Sequence, residues 1–597
     1  MPRADLSVQL AILAAAAGAA VPLVAAGPGV WPPPLSISLA GAPAALGPGF
    51  RAALQPLSPL AASQQPTSAR LEPTVARFNA LVSPATAAAY EARAVGAAAA
   101  AAAGRHVLLR LDVTVADLSE SLDAATDYSY TLTVDPGDSC VAVVAQSIYG
   151  AAYGLESFAQ LMDAERSMLS ASSVKVVDAP AHAWRGLLVD SGRRFAPVPL
   201  LENIIDTMAA VKLNVLHLHV TDFCRFGVQS LKFPNLTAGL ASGPDAGFYS
   251  QAEIKALIAY GGDRGVRIVP EFEMPGHALG FLPVASEGGL EFCSKCAYGP
   301  TGNGTHNTCK PSQLRGSAGT ARVLKAVLGE MAELFTDEVL HIGCDETFVK
   351  EGKGEVCTAN STASLEKQVV EAVARDFSKV PAGWEQVLFE TGAATDDTIV
   401  YAYMSGASRV TATGHKTVVA NGSSLYFTVA APGGPAGWDA LWYDIGWDVP
   451  PSERALLLGG EMSMWTDTYC SPRECGAMPA YHTEKGGALY TRSQDAAYGR
   501  SLGGMLWPRG YVGAAAFWNF NQTADAHSAE FQASIWALND ALAARGCAAR
   551  DFYCHISPPL SCLVVPTGVL TCRRRALVCP SNCSCDQMTA CGKPYAS

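Results

Sequence analysis

Between residues 183 and 545 the chain repeats one pattern: a short apolar run, a polar loop, then a segment with apolar residues three and four apart. Apolar runs occur at Gly186–Val189, Asn214–His219, Val266–Phe272 and Glu338–Ile342, with less distinct ones near Trp384 and at Ile399–Tyr403, Thr417–Ala420 and Leu456–Gly460. Such runs read as strands buried on both faces, the condition of a parallel sheet covered by helices. The covering helices show in Leu201, Ile204, Ile205 and Met208, and in Val323, Leu324, Val327, Leu328 and Met331. Ser250 with Glu253 has the form of a capping box opening another helix. Eight strand candidates alternating with helices predict an α/β fold, a parallel (β/α)8 TIM barrel lengthened by loop insertions.

The whole chain has 597 residues, 49% hydrophobic and 16% charged, enough for a barrel and a second domain. Residues 27–182 read as a small α+β domain, with strand-like alternation at His106–Asp112 and Tyr128–Val134 and helical spacing at Tyr149–Met162. An Ala/Pro-rich stretch that includes Ala97–Ala103 reads as a compositional insertion without chemical content. Residues 1–26, Arg3 followed by an alanine-rich apolar run, have the form of a secretory signal peptide, with a membrane anchor as the competing reading. No later run is long and apolar enough to span a bilayer, so the mature chain is expected to be soluble.

Residues 546–597 hold eight of the seventeen cysteines, from Cys547 to Cys591, and are expected to be stapled by disulfides. Only His555 lies near them and no paired Cys-x-x-Cys knuckles occur, so no metal site is expected there. Sequons at Asn235, Asn303, Asn360, Asn421, Asn521 and Asn582 agree with a glycosylating route. A net charge of −12 without a basic stripe argues against a nucleic-acid partner.

In a barrel the carboxyl ends of all strands meet at one face. Here those ends are polar or aromatic: Arg185 and Asp190 flank the first strand, His217, His219 and Asp222 follow the second, and Glu271, Glu273 and His277 close the third. The fourth ends on the adjacent acids Asp345 and Glu346, where a hydrophobic strand by itself needs no charge. Later ends bring Trp384, Glu385, Tyr401, Tyr403, Tyr426, Glu461, Trp465 and Asp467. Carboxylates, an arginine and aromatic walls suit a sugar, whose C–H faces pack on rings while charged groups fix its hydroxyls. Taken singly, His217 and His219 read as core histidines and Trp465 as packing, so the common placement carries the argument.

At these residues the sequence resembles the glycoside hydrolase family 20 β-N-acetylhexosaminidases, to which the lysosomal hexosaminidases belong. The likeness runs from about Tyr128 to Trp518 and rests on Gly154–Leu161, Trp184–Asp190, Asn214–His219, Val269–His277, His341–Glu346 and Leu506–Arg509. It implies an exo-acting hydrolase that removes terminal β-linked N-acetylglucosamine or N-acetylgalactosamine from glycans or chitooligosaccharides by substrate-assisted retention, without cofactor or metal. By the same likeness Glu346 is the general acid and base, with a raised pKa, while Asp345 stays ionised and holds the acetamide N–H. Arg185 and Asp467 would bind ring hydroxyls, Trp384, Tyr403 and Trp465 would wall the acetamido pocket, Tyr426 would donate to the acetamido oxygen, and Asp222 with His277 would support Glu346.

Several positions depart from the family pattern: Phe223 and Cys224 stand where a second acid and a glutamine are usual, Tyr403 replaces a tryptophan, Thr428 an aspartate and Cys344 a glycine. A secreted glycan-binding protein without activity and a disaccharide-releasing relative are the competing functions. A secreted or lysosome- or vacuole-like location is implied, and a homodimer stays open.

Overall fold

The computed structural model describes residues 29–56, 68–222, 225–240, 247–293, 313–347, 357–427, 437–466 and 502–547. The expected signal peptide, nearly all of the cysteine-rich tail, Phe223, Cys224, Thr428 and Asp467 lie outside these residues.

Ahead of the barrel, six strands form one sheet in the order Ser36–Ala40, Ser173–Asp178, Tyr130–Val134, Cys140–Ser147, Arg110–Asp117 and Ala52–Gln55. Alternation builds it: Leu111, Val113 and Val115 are buried while the residues between them are not, and Leu132, Val134, Val141 and Val143 repeat the pattern. Their buried side chains pack with the helices Ile148–Gln160 and Leu71–Val82 in one core. The alanine-rich stretch folds as well, into the helix Ala87–Ala102, which Thr86 caps through its hydroxyl. Alanine has the highest helix propensity, so low complexity here still specifies a helix.

All eight expected barrel strands are present, and they close: β1 (Trp184–Asp190), β2 (Val215–Thr221), β3 (Arg267–Met274), β4 (Val339–Gly343), β5 (Val380–Trp384), β6 (Ile399–Ala402), β7 (Thr417–Val419) and β8 (Leu457–Met464), with β8 pairing back onto β1. Every pairing is parallel. The helices Val198–Ala210 and Ala318–Leu334 carry the apolar residues that the spacing marked, and Ser250 with Glu253 forms the capping box of Gln251–Gly262.

The strand pleat sorts side chains into two cores. Leu187, Val189, Leu216, Leu218, Ile268, Leu340, Ile342, Met462 and Met464 face the helices, whereas Trp184, Leu188, Val215, Val269, Val339, Trp384 and Tyr401 fill the barrel. The inward parity also takes His217, His219, Glu271, Glu273, His341 and Glu461, all buried. A run that looks uniformly apolar from outside therefore encloses a polar axis, leading to the face where the acid pair emerges.

Candidate active site

Asp345 and Glu346 leave β4 through a left-handed stretch: Gly343 has φ 70°, Cys344 φ 72° and Glu346 φ 45°. A side chain on Gly343 would collide with the Glu273 carboxyl, so glycine is required there. Cys344, standing where the resemblance places glycine, adopts a backbone conformation natural to glycine and is fully buried. Across the opening His277, itself at φ 47°, sets Nε2 3.1 Å from Glu346 Oε2, while its Nδ1 lies 3.3 Å from Asp222 Oδ1. The Glu346 side chain is 46% exposed, which leaves it accessible from solvent as well as to His277.

The aromatic residues expected around the pocket meet as a box. Trp384 lies 5.4 Å from Tyr403 and 5.8 Å from Trp465 between ring centroids, Tyr426 lies 6.0 Å from Trp465, and Tyr403 and Tyr426 stack within 6° of parallel. Burial raises the hydroxyl pKa of both tyrosines, and the charge of Asp345 raises them further, which keeps both as donors and places the box beside that acid. The lip carrying Tyr403 is fixed by Glu385, whose Oε2 accepts the backbone N–H groups of Tyr403, Met404 and Ser405 and the Ser405 hydroxyl.

The carboxyl pKa of Asp345, the acid expected to stay ionised, is raised. Burial pushes Asp345 up, and Glu346 and Glu271 add to this against the opposing effect of His277. Glu273, buried beneath it, is raised well above the usual carboxylate range by burial and then by Asp345. Two carboxyls in one dry space cannot both ionise cheaply, so Glu273 holds the proton and Asp345 is the acceptor.

Arg185 is not in this pocket. It is the second residue of β1, at the amino end of the barrel, and its parity turns it outward. There its guanidinium donates to the carbonyls of Lys212 and His182 and lies over the rings of Tyr128 (4.7 Å) and Trp518 (5.1 Å), packed against the preceding domain. The pocket arginine is Arg193, in the loop after β1. Its Nη1 lies 3.0 Å from Asp190 Oδ2, its Nη2 2.9 Å from Asp222 Oδ2, and its guanidinium 5.2 Å from the Trp465 ring. Sequence reasoning missed it, although its place three residues beyond the strand's closing aspartate was a usable signal.

Beneath the acids the polar axis is a connected array. Glu271 faces His219 Nδ1 at 2.5 Å, accepts the Trp384 indole N–H at 2.8 Å, and lies 2.9 Å from His341 Nδ1 and 3.3 Å from His217 Nε2. His217 Nδ1 lies 2.7 Å from Glu461 and His219 Nε2 3.1 Å from Asp222. Among the described residues, two trios have ligand-type atoms within 4.8 Å of one another, His217 with Glu271 and His341, and His219 with Glu271 and Glu273. Each histidine in them is already set against a carboxylate, so the array is self-neutralising.

Residues 182–478 match the family model described as glycosyl hydrolase family 20, catalytic domain, and residues 31–161 match the one described as beta-acetyl hexosaminidase like. Beta-hexosaminidase subunit A2 of Dictyostelium discoideum is 29% identical over 390 residues, covering 60% of this chain and 67% of that protein. Beta-hexosaminidase subunit alpha of Rattus norvegicus is 27% identical over 386 residues, covering 61% and 70%. In fold, the chain is similar to the chitobiase of Flavobacterium johnsoniae, with a TM-score of 0.66 at 22% identity over 87% of this chain and 73% of that one.

Proposed function

Because the chain belongs to glycosyl hydrolase family 20, we propose that it is an exo-acting β-N-acetylhexosaminidase in which Asp345 and Glu346 divide the work of substrate-assisted hydrolysis. The observation that carries this reading is the joint emergence of the two acids at the carboxyl end of β4, one beside an aromatic box and the other against a histidine.

The chemistry follows from that division. Glu346 delivers a proton to the glycosidic oxygen as the C1–O bond breaks, and the acetamido oxygen of the same sugar forms the new bond to C1 from the opposite face. His277, with Nδ1–H on Asp222, accepts from protonated Glu346 through Nε2. His277 gains no proton when Glu346 protonates the leaving oxygen, and it holds the carboxyl in place through both proton steps. Asp345 accepts the acetamide N–H as positive charge grows on the resulting oxazolinium ring. A carboxylate whose charge is made costly by burial gains most when a cation forms beside it. Glu346 then takes a proton from water, which attacks C1 as the bond from C1 to the acetamido oxygen breaks, and the original configuration is restored.

The aromatic box takes the acetamido methyl, with the Tyr426 hydroxyl directed to its oxygen. Arg193, rather than Arg185, is assigned to the ring hydroxyls, and Asp467 to those further out. Terminal β-linked N-acetylglucosamine or N-acetylgalactosamine on glycans or chitooligosaccharides is the substrate class. The disulfide Cys293–Cys357 and the six sequons support passage through the secretory pathway, to the exterior or a lysosome-like compartment. No helix among the described residues is long and apolar enough to cross a membrane.

The test is a pair of aryl β-glycosides that differ only in the 2-acetamido group. The N-acetylglucosaminide should be hydrolysed and the plain glucoside should not. Equal turnover of both would remove the substrate-assisted route.

A further inference from the structure

Glu271 has no part in the chemistry above, yet it is the most heavily engaged carboxylate in the barrel. It lies on β3 with no exposed surface, and its two oxygens face groups from three other strands: His217 and His219 of β2, His341 of β4 and Trp384 of β5. Two of these lead to the pocket. Trp384 is a wall of the aromatic box, and His219 is a further partner of Asp222, the residue that holds His277 on Glu346.

We propose that Glu271 is a positioning residue for both halves of the site: it locks His219 against Asp222, which fixes the Asp222–His277 pair on Glu346, and it fixes the Trp384 indole in the wall. This inference rests on the assignment of Glu346 as the general acid.

Charge alternates along the path. His217 lies between the carboxylates of Glu461 and Glu271, His219 between those of Glu271 and Asp222, and Arg193 between those of Asp222 and Asp190. Although burial opposes it, the carboxylates on either side raise the pKa of His219 to about 10, so it is a cation at neutral pH. Asp222 stays ionised because Arg193 and the histidines offset its burial. The charged and titratable groups along this path to His277 and Glu346 are Asp190 at the end of β1 and Arg193 in the loop after it, His219 on β2 and Asp222 just past it, Glu271 and Glu273 on β3, and Asp345 after β4. The cationic His219 depends on Glu271, because no other carboxylate meets its Nδ1 among the described residues.

Glu271→Gln separates charge from shape. The amide oxygen keeps the Trp384 bond, and the amide N–H₂ can donate to a neutral His219, so side-chain positions are retained while one proton leaves the array. A cation is then lost beside Asp222, and Glu346 becomes harder to ionise. The basic limb of the kcat/KM profile, which reports loss of the acid's proton, should move up by at least half a pH unit. Turnover should fall at least tenfold, with KM changed less than threefold. Histidine ring ¹⁵N NMR should show His219 doubly protonated at neutral pH in the wild type and singly protonated in the variant.

A pH profile superimposable on that of the wild type, or a His219 signal unchanged by the substitution, would overturn the proposal. Should Glu271→Gln not fold, His219→Gln removes the same cation from the other side and must shift the profile in the same direction. The NMR readout needs no turnover, and full activity in Glu346→Gln would refute the parent assignment instead, so the two failures are told apart.

Discussion

Replacing Arg193 by lysine tests which arginine serves the pocket. The guanidinium spans two buried carboxylates, with one N–H group 3.0 Å from Asp190 and another 2.9 Å from Asp222. A planar fork can hold both at once, whereas a lysine ammonium on a flexible stem reaches one and leaves the other. The loss is one charge-assisted hydrogen bond, about 1.5–3 kcal/mol, which corresponds to roughly a 10- to 150-fold fall in kcat/KM if it is felt in the transition state. Arg193→Ala goes further and removes the guanidinium from both carboxylates, at a stability cost of about 3–5 kcal/mol. Initial rates on an aryl N-acetylglucosaminide, with thermal melts on the same samples, separate the two effects. Arg185→Met should show the converse, a lowered melting temperature with kcat/KM unchanged in the folded fraction, because its partners are the domain-facing rings of Tyr128 and Trp518. Wild-type kcat/KM in Arg193→Lys, or its loss in a well-folded Arg185→Met, would refute the reasoning.

Three further outcomes are expected. Glu366, buried in the helix Ala359–Arg375, has its carboxyl pushed up to about 8 by burial from an ordinary 4.5, so the folded state holds its proton longer than the unfolded one. Its stability penalty is absent below pH 4.5, grows as pH rises and is complete above about 8, where it amounts to at most about 4–5 kcal/mol; Glu366→Gln should therefore raise the melting temperature at pH 8 and leave it unchanged at pH 4.5, and an equal shift at both would contradict this. Lys212, fully buried, lies 2.8 Å from Asp178 and 2.9 Å from the Tyr130 hydroxyl, so Lys212→Met should cost about 3–5 kcal/mol in denaturant titration while leaving KM alone, because the pair sits at the amino end of the barrel. The acid limb of kcat/KM should lie above the ordinary aspartate value of 3.8, since turnover needs Asp345 ionised and burial raises it; a limb at or below that value would count against the role.

The barrel was legible because two-sided burial leaves apolar runs that only a covered parallel sheet accommodates, and because the acids, histidines and aromatics interrupt those runs at one end. β5 and β7 were harder to read, being five and three residues long. β8 was expected to stop at Gly460 but continues to Met464, which brings Glu461 and Ser463 inside the barrel. What failed was parity. Arg185 and Arg193 are both near the first strand, and choosing between them requires knowing which face and which end each side chain leaves, a one-residue matter that composition does not encode. The alanine-rich helix Ala87–Ala102 was missed for a different reason, since it lacks the polar contrast from which amphipathic spacing is read. The Glu271 array was visible only as separate histidines and acids, because its connections run between strands 50 or more residues apart.

The division of labour between the paired acids is tested most directly by varying the leaving group. Glu346→Ala should still release dinitrophenol from a dinitrophenyl N-acetylglucosaminide, a leaving group that departs without protonation, at close to the wild-type rate in the first turnover. The same variant should lose about 10²- to 10⁴-fold on an alkyl N-acetylglucosaminide. Asp345→Asn should lose activity on both, since charge at the acetamide is needed whatever leaves. If both variants respond identically to the leaving group, the two carboxylates do not hold the separate duties assigned to them.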